Sequence, residues 1–104
     1  MAHPFGVALV ETLAGPRTLT QAEVDAAQIF SFEPDGAARN LILPAEADNA
    51  GVILFISNTA NGAPEPLTIL DDASGYTVCT PDQNEDAIIF CDGVSWFGGT
   101  LAAS

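Results

Sequence analysis

Between residues 19 and 72 the chain is a succession of short apolar runs divided by turns of small residues, and this spacing limits the fold more than any other feature. The runs cover residues 29–32, 40–44, 51–58 and 67–72, with almost nothing chemically reactive between them. Runs this short, bounded by Gly, Pro, Asn and Asp, suit strands and are too brief for core helices. The pattern is a scaffold without visible chemistry, and it points to a protein that works by binding.

Residues 7–13 alternate loosely and form the predicted first strand, preceded by an arm over residues 1–6 that has little of its own to pack on. Gly15-Pro16 marks a turn, and Thr20-Gln21-Ala22-Glu23 fits a capping box, which predicts a helix of one to two turns over residues 21–27. Phe30 and Phe32 share one face of the next strand, with Ser31 and Glu33 on the other, and Pro34-Asp35-Gly36 ends it. Leu41 and Leu43 share a face before Pro44, which cannot donate to a ladder. Residues 52–56 and 87–91 carry no polar alternate and so read as strands buried on both faces. The connection over residues 58–66 contains Asn61-Gly62 and two prolines and reads as a long exposed loop. Leu67 and Ile69 point inward, Ser74-Gly75 turns, Tyr76 and Val78 continue the pattern, and residues 94–97 close the domain.

These elements predict an all-β fold: a compact antiparallel β-sandwich or barrel of about six to nine short strands, with one short helix near residues 21–27. An interleaved trimeric β-fold is the architectural alternative. Residues 7–104 make a single β domain behind the arm over residues 1–6. A faint internal echo runs through it, since Ala22-Glu23-Val24-Asp25-Ala26-Ala27 resembles Ala45-Glu46-Ala47-Asp48-Asn49-Ala50 and both precede an apolar strand. Two copies fall short of a solenoid signature.

At 104 residues, a chain of this size buries only about two thirds of the surface it exposes when unfolded. With 48% hydrophobic and 15% charged residues, some apolar surface is left for a partner or a second copy to cover. The formal charge of −12 comes from 14 Asp and Glu against Arg17 and Arg39 alone. That removes the counterion-release drive for nucleic acid and repels an anionic membrane. The plain reading of this balance is solubility, and the sharper one is an acidic face turned away from a more neutral docking face. The start of the chain lacks the basic and apolar regions of a secretory signal, and no apolar run is long enough for a spanning helix, so a soluble protein made in the cytoplasm is expected. Cys79 and Cys91 read as small buried hydrophobes, although a hairpin centred near residues 83–86 would set them opposite each other.

Catalytic arrangements fail one by one. His3 is the one histidine, which leaves a nucleophile triad without its base. Gly93-Val94-Ser95-Trp96-Phe97 begins like a nucleophile elbow but has Phe97 where the sharp turn needs glycine. Asp82-Gln83-Asn84-Glu85-Asp86 opens like a calcium loop, yet Ala87 and Gly93 stand where that loop needs glycine and glutamate, leaving at most a looser cation site here or at Asp71-Asp72. No chelating pair for zinc and no glycine-rich phosphate loop is present. No catalytic, cofactor-binding or metal-ligating residue and no small-molecule substrate is therefore expected. Aromatic anchors dominate protein interfaces, which singles out Phe5, Tyr76, Trp96 and Phe97, with core packing as the plainer role of Trp96 and Tyr76. The predicted partner interface comprises His3, Pro4, Phe5 and Val7 in and beside the arm, with Trp96 and Phe97 at the other end.

The order of pieces also resembles a known β-module. Leu19-Thr20 followed by a short polar helix, Ile29-Phe30-Ser31-Phe32, Asn40-Leu41-Ile42-Leu43-Pro44-Ala45, residues 51–58, Leu67-Thr68-Ile69 and Cys91-Asp92-Gly93-Val94-Ser95-Trp96 are together similar to small capsid decoration (cement or head-fibre) proteins of tailed bacteriophages. The likeness covers about three quarters of the chain and extends to modules of phage tail fibres. It implies a non-enzymatic structural protein on the capsid exterior of the virion, a homotrimer that clamps neighbouring major capsid subunits. A tail-fibre or host-receptor, glycan-binding module is the alternative it implies. No site residue carries over from the resemblance, because the family's contacts follow no fixed motif.

Overall fold

The computed structural model describes residues 8–60, 64–72 and 75–101. Nine strands, one short α-helix and one 3-10 turn lie within them. In chain order these are β1 (Ala8–Leu13), β2 (Arg17–Thr18), α1 (Gln21–Ala26), β3 (Ile29–Pro34), β4 (Arg39–Ile42), η1 (Glu46–Asp48), β5 (Ile53–Asn58), β6 (Leu67–Leu70), β7 (Thr77–Cys79), β8 (Asp86–Cys91) and β9 (Trp96–Leu101).

The strands form two sheets, a five-stranded one in the order β1-β3-β5-β8-β9 and a four-stranded one in the order β2-β4-β6-β7. The chain crosses from the first sheet to the second and back, and each return lays a strand parallel to its predecessor. Thus Leu9 pairs with Phe30 and Phe30 with Ile56, while Arg17 pairs with Leu41 and Leu41 with Ile69. Only the later strands reverse: β7 against β6, β8 against β5 and β9 against β8. Both sheets are therefore mixed and neither closes into a barrel, which corrects the expectation of an antiparallel fold. Tight hairpins give antiparallel neighbours, whereas here corners carrying α1 and η1 return the chain to its starting edge and force parallel pairing.

The echo at residues 22–27 and 45–50 marks those corners. α1 precedes β3 and η1 precedes β5, so each copy turns one coil into the next. The two corners touch: Gln21 and Asn49 exchange a pair of side-chain hydrogen bonds of 2.9 and 2.8 Å, and Asn49 also donates to the Ala45 carbonyl. The capping box forms as the sequence requires, with Thr20 Oγ1 accepting from the Glu23 amide and Glu23 Oε1 accepting from the Thr20 amide.

Side chains pointing inward from both sheets make one core that includes Phe30, Phe32, Leu41, Leu43, Leu54, Ile56, Leu67, Ile69, Ile89 and Trp96, each essentially inaccessible. Phe30 and Phe32 stack with ring centroids 6.1 Å apart. Cys79 and Cys91 are both free thiols. β7 and β8 belong to different sheets, so the hairpin that would have opposed the two cysteines does not form.

Candidate functional site

The outer face of the five-stranded sheet is the unusual surface of this protein. Strand alternation turns Leu54, Ile56, Ala87 and Ile89 into the core and leaves Ile53, Phe55, Ile88 and Phe90 on the other side. Both β5 and β8 had the composition of strands buried on two faces. Among the described residues nothing covers their outer side, and that expectation is corrected: Ile29, Ile53, Phe55, Phe90 and Phe97 are each 41–46% exposed.

Register makes these residues continuous. One row across the sheet runs Ala8, Ile29, Phe55, Ile88, Gly99, and the next runs Ile53, Phe90, Phe97. Phe90 and Phe97 stack across the β8–β9 pair with centroids 5.7 Å apart. Charge is confined to the far end of the face, where Asp86 stands opposite Ser57 in the row of Ser31 and Glu33 lies beyond that row. The sheet thus grades from an uncharged apolar end to a polar end.

At the apolar end, β9 opens a groove. Gly99 faces outward opposite Ile88 and supplies no side chain, so a depression of about 450 Å³ forms among Tyr76, Ile88, Phe90, Phe97 and Leu101. Gly98, next to it, is fixed by close approach: a Cβ there would lie 2.2 Å from the Ile88 carbonyl oxygen. Gly99 has open space around its own Cβ position. A second groove of about 360 Å³ abuts the first through Tyr76 and Phe97, and its wall includes Glu46 and Asp71.

Behind that wall, carboxylate oxygens of Glu46, Asp71 and Asp72 lie within 4.8 Å of one another. Glu46 accepts from its own backbone amide, which favours its charged form, but burial and the neighbouring Asp72 and Asp71 carboxylates outweigh this and hold it above the usual carboxylate range. The expected acidic turn at residues 82–86 is used differently. Glu85 accepts from the Asp82 amide and Asp82 from the Gln83 amide, so these carboxylates cap their own loop. Asp92 accepts from the Ser95 and Val94 amides in the β8–β9 turn, which lowers its pKa.

Of the predicted interface residues, Phe97 stands in the exposed patch, while Trp96 is only 1% exposed and its indole donates to the Pro44 carbonyl at 2.8 Å inside the core. Adjacent strand residues face opposite ways, so the two could not both be surface anchors. Tyr76 is exposed and joins the two grooves. His3, Pro4, Phe5 and Val7 lie outside the described residues. Sequence reasoning missed Ile29, Ile53, Phe55, Ile88 and Phe90 as surface residues. Their signal was the pair of all-apolar strands, which periodicity assigns equally to burial in the fold or under a partner.

Sequence reasoning also passed over the two buried asparagines that fix the loops. Asn58 donates to the Glu65 and Pro81 carbonyls at 2.8 and 3.0 Å and accepts from the Ala60 amide at 2.9 Å. Comparison of the chain with protein families, with characterised proteins and with solved structures finds no match.

Proposed function

We propose that this protein is a non-enzymatic structural protein of a tailed bacteriophage that decorates the outside of the assembled capsid and steadies it by clamping neighbouring major capsid subunits. The observation that carries the reading is the uncharged apolar end of the outer face of the five-stranded sheet on an otherwise strongly acidic domain. Apolar patches of this continuity mark protein contact surfaces. Two packed sheets in a sandwich-like arrangement offer such a face on a rigid base, and the sequence resemblance supplies the partner.

The size of the face sets what it can do. Five strands spaced about 4.8 Å apart, each rising about 3.3 Å per residue over six residues, span roughly 500 Å². A standard interface buries about 800 Å² per partner. One such face is a modest contact, suited to a clamp whose hold is multiplied by several copies on one shell. Its effect on the shell is linkage: a ligand that binds only the expanded form stabilises that form in proportion to its occupancy.

The test is co-sedimentation of the full chain with expanded empty capsids. Saturable binding that weakens in a Phe55→Ser/Phe90→Ser variant supports the proposal. Failure of the wild-type chain to sediment with the shells overturns it, and glycan or host-cell binding in its place would favour a receptor-binding module. Light scattering on a sizing column tests the trimer that the resemblance implies, and a monomer at micromolar concentration rejects preformed trimers.

A further inference from the structure

The two grooves that meet at Tyr76 and Phe97 differ in chemistry, and their adjacency specifies what can occupy both. One side offers the hollow over Gly99, floored by Ile88 and Phe90. The other has Glu46 and Asp71 in its wall, with Asp72 close to both. We infer that this double groove docks an extended segment of a partner protein in which a large apolar side chain is flanked by lysine or arginine, the apolar group seated over Gly99 and the cation against the Glu46–Asp71–Asp72 carboxylates.

Charge complementarity selects this occupant over a second copy of the chain. The protein has 14 acidic residues and only two arginines. Arg17 spends all five of its donors on Glu11, Glu23 and the Thr18 carbonyl. Arg39 sits on β4 of the other sheet and donates to the Asp35 carbonyl. A second copy would bring a net charge of −12 and no arginine from its own apolar face, so its approach is opposed by like charge. A basic segment is drawn in, and its apolar residue meets a hollow left by a residue without a side chain.

The inference rests on the reading that the protein acts by docking to a partner, but it can be tested without capsids. The full chain, labelled with ¹⁵N, is titrated with the synthetic peptide Gly-Arg-Leu-Arg-Phe-Gly, with a version carrying Glu for both Arg, and with a version carrying Ser for Leu and Phe. The expected result is amide shifts centred on Tyr76 and residues 97–101 with the first peptide, and at least about tenfold weaker binding of either control. A Gly99→Val variant, whose new side chain enters open space, should keep its spectrum outside β9 and lose about tenfold in affinity. Equal binding of the Arg and Glu peptides overturns the inference, as does a shift pattern centred elsewhere. Concentration-dependent shifts at the same residues without peptide would assign the groove to a second copy and also overturn it. Capsids bound equally by wild type and Gly99→Val reject the groove while leaving capsid decoration standing. Peptide binding without capsid binding rejects decoration and leaves the groove.

Discussion

Arg17 is the residue that ties the first coil together. Its guanidinium reaches Glu11 on β1 at 2.8 and 3.0 Å and Glu23 on α1 at 2.8 and 2.5 Å, from a place on β2. β2 is two residues long, so side-chain bonds do what a longer ladder would otherwise do. Hydrogen bonds from Arg17, reinforced by those of the Thr20 cap against the opposing effect of burial, hold the Glu23 carboxyl down from 4.5 to about 2. A depressed carboxylate pKa adds stability that is complete above pH 4.5 and is lost as pH falls toward 2. Arg17→Met should therefore cost about 1–2 kcal/mol at pH 7 by denaturant titration, and the difference from wild type should shrink through that acid window. Asn58→Asp is expected to be harsher. It aims a carboxylate oxygen at the Glu65 and Pro81 carbonyls where an amide now donates, at a cost of about 3 kcal/mol or more at neutral pH in thermal unfolding. Neither the Arg17 bridge nor the Asn58 staple could be read from sequence, because Arg17 spans a corner between the two sheets and Asn58 reaches the segment ahead of β8, and only the folded path of the chain brings those positions together.

At the scale of the element, the helix and its cap were legible because they are local. Thr20 and Glu23 are three residues apart and bond whatever the rest of the chain does. Strand positions were legible for the same reason, and Phe30 with Phe32 and Leu41 with Leu43 do face the core. Strand direction was not, since a strand of a given pattern pairs either way and the connection decides. β9 carries the sharpest prediction at this scale. Gly98→Ala pushes a methyl into the Ile88 carbonyl, so β8 and β9 must separate, with a loss of about 3 kcal/mol. Gly99→Ala, one residue on, should change stability by less than about 0.5 kcal/mol because its Cβ meets nothing. Equal melting shifts for the two variants would contradict the backbone contact at Gly98.

For the whole molecule, the separation of charge from apolar surface matters most. Fourteen acids oppose self-association by repulsion, while among the described residues nothing covers the face of Ile29, Phe55, Ile88 and Phe90. The isoelectric point lies near 4.1, where that repulsion vanishes. Turbidity is expected to rise sharply as pH approaches 4, and a Phe55→Ser/Phe90→Ser variant should stay clear under the same titration, since the serines remove the sticky centre and leave the charge unchanged. Turbidity equal to wild type in the double variant would mean that another surface drives association.

Composition and local pattern determined that this chain would be a small acidic β domain with one capped helical turn, because those properties depend on residues near one another in sequence. Tertiary structure decided that its first coils stack in parallel, that Trp96 is core while Phe97 is surface, and that β5 and β8 show their second apolar face to solvent. Periodicity registers that a face is apolar, whereas what covers it depends on which other segments the fold brings there. In this protein the fold brings none of the described residues, and the uncovered face is where its function is to be sought.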